Sequence, residues 1–89
     1  MNPAKVYYTD LRTRDGDNLP KKLQRLIRAA GIADIDMEKK FVAIKLHFGE
    51  PGNLSFLRPN YAKAVADVVK ELGGIPFLTD CNTLYVGRR

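Results

Sequence analysis

Residues 41–48, Phe-Val-Ala-Ile-Lys-Leu-His-Phe, constrain the chain more than any other stretch. Val42, Ile44, Leu46 and Phe48 share one face of an extended strand, and Phe41, Ala43, Lys45 and His47 share the other. Both faces are apolar over the first half. That pattern predicts a central strand covered on both sides, as in a parallel sheet. Gly49-Glu50-Pro51-Gly52-Asn53 then ends it.

The segments on either side read as helices. Asn18 can cap a helix that has Pro20 in its first turn, and Leu19, Leu23, Leu26, Ile27 and Ala30 recur at helical spacing until Gly31. Lys21, Lys22, Arg25 and Arg28 are expected on its solvated face. Ile32, Ile35 and Met37 are expected to tuck under it. After Pro59, the residues Tyr61, Val65, Val68, Val69 and Leu72 form a second stripe, with Ala62, Ala64 and Ala66 allowing close approach, until Gly73-Gly74. Lys5–Leu11 and Ile75–Thr79 are rich in β-branched and aromatic residues and read as further strands.

The expected order is β-α-β-α-β. It gives an α/β fold with a small parallel three-stranded sheet near 5–11, 41–48 and 75–79, and helices over about 19–30 and 60–72. Residues 1–89 read as a single α/β domain, or as the N-terminal fragment of a longer chain in a larger α/β fold. The apolar end Thr83-Leu84-Tyr85-Val86 would otherwise lack a packing partner.

Composition removes several function classes. No apolar run approaches the ~20 residues of a membrane span, and the N-terminus lacks the apolar core of a secretory signal. The single cysteine, Cys81, forms no disulfide within the chain, which suits a reducing cytoplasm. One thiolate is too few for an iron–sulfur cluster or a structural zinc, which take about four ligands, so no metal residues are assigned. The net charge of +5 raises nucleic acid as a partner, but no nucleic-acid motif supports it, and the basic helix face reads more simply as solvated.

In open α/β sheets ligands bind beyond the carboxyl ends of the strands. Two such ends carry polar residues here. Lys45 and His47 share a face at one, and Asp80 follows the other. Around one crevice they would supply a cation, a base and a carboxylate, the set that acid–base catalysis uses, and they are the candidate catalytic residues. The alternative is a buried Lys–Asp pair holding loops, with His47 in the core. Gly49, Glu50, Arg58 and Asn82 are candidate ligand-binding residues: the glycine-rich turn and Arg58 suit a small anionic ligand near the start of the second helix.

At Val42-Ala43-Ile44-Lys45-Leu46-His47-Phe48-Gly49-Glu50, Leu57-Arg58-Pro59 and Thr79-Asp80-Cys81-Asn82-Thr83-Leu84-Tyr85, the sequence resembles the N-terminal part of the uncharacterised iron–sulfur-centre proteins. This bacterial and archaeal family is known as domain of unknown function 362. Many members are longer and carry a C-terminal ferredoxin-like segment whose cysteines would bind two [4Fe–4S] clusters. Lys45, His47, Glu50, Arg58, Asp80 and Asn82 match the family's polar motif positions. With no Cys-x-x-Cys, the resemblance implies clusters only for a longer parent protein, and none in this chain. It implies a redox-associated protein to which these residues contribute a polar crevice, with a redox partner or the remainder of the parent chain as neighbour. A non-catalytic interaction or scaffold domain, alone or with a second copy of the chain, is the competing reading, and a nucleic-acid module is a distant third.

Overall fold

A computed structural model describes residues 3–47 and 58–80 of the chain. Helix α1 spans Leu19–Ala29, a short 3-10 turn Ile32–Asp34 follows, and strand β1 spans Phe41–Lys45. Helix α2 spans Pro59–Glu71 and strand β2 spans Ile75–Thr79. β1 and β2 pair in parallel, with Phe41 opposite Ile75 and Lys45 opposite Thr79. The class is α/β with a small parallel sheet.

Local chemistry sets the element ends. The Asn18 side chain accepts a hydrogen bond from the Lys21 amide at 2.8 Å, which satisfies one of the open donors of the first turn of α1. Gly31, at φ +101°, ends the helix in a conformation that other residues adopt at a cost. Pro59 opens α2, and Gly73, at φ +86°, closes it.

The core is built on α2. Val68 and Val69 are fully buried, joined by Ala62, Ala64 and Met37. α1 packs against α2, and α2 packs against the sheet. Gln24 donates to the Ala64 carbonyl at 2.9 Å, and Arg28 pairs with Glu71, so polar groups fix how the helices cross. Gly74 lets α2 turn directly onto β1: a methyl group there would lie 2.8 Å from Val69 Cγ1 and 3.1 Å from Val42 Cγ2.

Four expectations change. Residues 5–11 form no strand, so the described sheet has two strands instead of three. Val6, Tyr8 and Leu11 are left exposed, and the segment is instead held by Asp10 at the start of α1. β1 is covered on one face only, because α2 packs on that face and α1 packs against α2 instead of the sheet: Phe41, Ala43 and Lys45 are exposed. Lys22 is not on a solvated face. It folds over to donate to the Asp10 carbonyl at 2.8 Å, the Asp10 carboxylate at 2.7 Å and the Arg12 carbonyl. Of the three connector residues, Met37 is buried and Ile32 half-buried, but Ile35 is exposed. The end of the 41–48 strand at Phe48, the Gly49–Asn53 turn and the apolar end from Thr83 lie outside the described residues.

Candidate functional site

The parallel pairing brings two strand ends side by side. The ladder closes with the Leu46 amide donating to the Thr79 carbonyl at 3.0 Å. His47 and Asp80 are the residues that follow on each side. His47 Nδ1 lies 3.9 Å from Asp80 Oδ2. That is too long for a direct hydrogen bond. It is close enough for charge attraction when the imidazole is protonated, and for one bridging water when it is not. The Asp80 side chain is 12% exposed and that of His47 is 53% exposed. The carboxylate therefore sits in the wall while the imidazole reaches solvent. A carboxylate set behind an accessible imidazole biases the orientation and tautomer of the ring, an arrangement compatible with proton transfer or with hydrogen bonding to an anion.

Lys45 lies two residues before His47 on the same face and is exposed. The alternative of a buried Lys45–Asp80 pair is therefore corrected. An ammonium on the open face keeps its water, so it needs no carboxylate to offset burial. Arg58 stands at the start of α2. Because α2 returns antiparallel to the strands, that start lies at the sheet's carboxyl end. Among the described residues, no side chain caps α2 there and no acidic residue occupies its first turn, so none of them compensates the positive end of the helix. Gly49, Glu50, Asn82 and Cys81 lie outside the described residues.

A second polar cluster was not anticipated. Asp10, Arg12, Arg14, Asp17, Lys22 and Arg25 line a cavity of about 470 Å³ beside α1. Arg25 makes two hydrogen bonds to Asp17, at 3.0 and 2.8 Å, and this pairing draws the Asp17 carboxyl down to about 2. The Lys22 ammonium and the Arg12 amide hold Asp10 below its ordinary value. The run Arg12-Thr13-Arg14-Asp15-Gly16-Asp17, of alternating charge just before a basic helix, was the available signal.

Residues 42–89, more than half of the chain, match the family described as domain of unknown function (DUF362). The chain belongs to that family. The DUF362 match includes β1 from Val42 onward, α2, β2 and both strand ends that carry His47 and Asp80. No solved structure matches the chain. Among the described residues, no group of three or more His, Cys, Asp or Glu side chains is placed to hold a metal ion. The chain contains one cysteine, so its donor set does not fit a [4Fe–4S] cluster, which takes about four thiolates. Among the described residues, no helix is long and apolar enough to cross a membrane.

Proposed function

We propose that this DUF362 chain supplies one wall of a ligand crevice in a redox-associated, iron–sulfur-centre-like protein of the cytoplasm. In this reading His47, backed by Asp80, exchanges a proton or hydrogen bond with a small anionic ligand, and Lys45 and Arg58 attract that ligand. The observation that carries it is the 3.9 Å approach of His47 to Asp80 at the carboxyl edge of a parallel sheet. Any cluster chemistry belongs to a redox partner or to a longer chain, because the residues of this one do not fit it.

The test is a titration of the 89-residue chain with inorganic phosphate and with acetate, followed by NMR at the His47 ring. Saturable shifts at His47 that weaken about tenfold in Lys45→Met support the reading; a tenfold change is ~1.4 kcal/mol, within reach of one lost charge-assisted contact. Lys45→Met retains the apolar stem, so its stability should match wild type. Shifts no larger at His47 than at exposed Lys63 and Lys70 would overturn it. Purified alone, the chain is also expected to lack the broad visible absorption of an iron–sulfur cluster. Stoichiometric iron and sulfide in a monomeric sample would contradict that expectation.

A second reading has its own support. Phe41, Ile75 and Phe77 lie exposed on the sheet face away from the helices. A contiguous apolar face of this kind favours an interaction or scaffold domain. It is compatible with a ligand crevice at the same sheet's edge.

A further inference from the structure

Among the described residues, strand β1 has an unpaired edge and an apolar groove running beside it. The Ile75 amide donates to the Lys40 carbonyl at 2.8 Å, and the Leu46 amide to the Thr79 carbonyl at 3.0 Å. In a parallel ladder the bonding residues of a strand alternate. With Lys40 and Leu46 both turned to β2, Val42 and Ile44 are turned there too. The amides and carbonyls of Phe41, Ala43 and Lys45 then point away from β2, toward an edge that no described strand occupies. The outer edge of β2 is different. There the outward residues are Pro76 and Leu78, and Pro76 has no amide to offer. Among the described residues, the sheet is blunted at β2 and open at β1.

The residues lining the groove include Ile32, Ile35, Phe41, Ala43, Ile44 and Val65, and none of β2. It lies therefore on the open side of β1. A strand added there would satisfy the free amides and carbonyls, and every second side chain of it would enter the groove.

The same chain carries a segment of matching chemistry. Residues 5–11 hold no regular secondary structure, are rich in β-branched and aromatic residues, and are joined to no ladder. Val6 and Tyr8 are 89% and 83% exposed, and in a strand they would share one face. The segment is anchored at its far end by the Asp10–Lys22 pair, and none of its residues lines the groove. Donor and acceptor thus stand on one chain without meeting.

We infer that they meet between two copies: Lys5–Thr9 of each chain, ahead of the Asp10 anchor, adds as a strand to the open edge of β1 in the other. Reciprocal exchange closes the assembly as a two-fold dimer, so no unpaired edge propagates. The occupant of the groove is then a second copy of this chain.

The experiment is light scattering on the full chain up to about 1 mM, a range that reaches weak self-association, with amide exchange at single residues. The Val6→Asp, Tyr8→Asp double variant changes two exposed side chains, and circular dichroism confirms that its helices are kept. The expected result is a dimer in which the Phe41, Ala43 and Lys45 amides exchange at least tenfold more slowly than in the double variant, which is monomeric. A chain monomeric throughout overturns the inference, whether those amides are protected, as by its own N-terminal segment, or not. A dimer that survives the double substitution overturns it too, as does a dimer with unprotected β1 amides, since either uses another surface.

Discussion

Asp17 and Arg25 form the best-made ion pair of the described residues, with two hydrogen bonds between a planar guanidinium and a carboxylate. Arg25 holds the Asp17 carboxyl at about 2 in the folded chain, against about 3.9 for an unperturbed aspartate. A depressed folded value means that the pair stabilises the fold fully above the unfolded value and stops doing so as pH falls through the folded one. The stability gap between wild type and Asp17→Asn should therefore be constant from neutral pH to about 5, close between about 4 and 2, and vanish below. Urea unfolding at a series of pH values reads it; a gap unchanged at pH 2 would mean that the pair is not formed in solution. His47 and Asp80 carry a different expectation. His47→Gln keeps a hydrogen-bonding side chain at an exposed position, so folding should be unchanged while phosphate or acetate affinity falls. A loss of stability as large as the loss of affinity would make His47 a structural residue.

The helices depend on their ends. Removing the Asn18 oxygen in Asn18→Ala leaves the Lys21 amide without its partner and should cost about 1 kcal/mol. For a domain of this size that is a fall of ~4–8 °C in Tm. Gly74→Ala should cost more, about 1–3 kcal/mol, because the new methyl group meets Val69 and Val42 where α2 lies on β1. Both helices, and the strands at 41 and 75, were legible in the sequence because caps, breakers and spacing agreed at each of them. Asn18, Pro20 and Gly31 said the same thing about α1, and Pro59 and Gly73-Gly74 about α2. The segment 5–11 was not, since β propensity reports how well a side chain fits a pleated surface and not whether that surface is within reach. The covering of β1 was misread for a related reason: Phe41 and Ala43 are apolar, but periodicity does not say where the helices will fall. At the candidate site, parity and parallel pairing were enough to bring His47 beside Asp80. The exposure of Lys45 was not accessible, because it follows from the bare face of the sheet. Likewise the clamp of Lys22 on Asp10 joins residues 12 apart through a loop whose path no periodicity encodes.

For the whole molecule the decisive asymmetry is that α2 covers one side of the sheet while α1 packs against α2 instead of covering the other. Burial concentrates on α2, where Val68 is 0% exposed, while Phe41, with a much larger side chain, is 77% exposed. Residue size and energetic weight are then inverted. Val68→Ala removes two methyl groups from a packed centre and leaves a cavity, at a cost of about 1–3 kcal/mol. Phe41→Ala removes a ring that is mostly in water and should cost less than about 1 kcal/mol, against ~3–5 for a buried phenylalanine. The comparison belongs in the Val6→Asp, Tyr8→Asp background, where strand exchange cannot lend Phe41 a partner. In that monomer, urea unfolding should rank Val68→Ala as the more damaging substitution, with similar slopes for the two. In the wild-type chain, dimer formation should raise the cost of Phe41→Ala, since Phe41 borders the groove that receives the neighbouring strand. A Phe41→Ala cost that is large in the monomeric background would mean that the sheet's second face is covered from within the chain. It would thereby remove the apolar surface on which both the interaction reading and the exchange of strands depend.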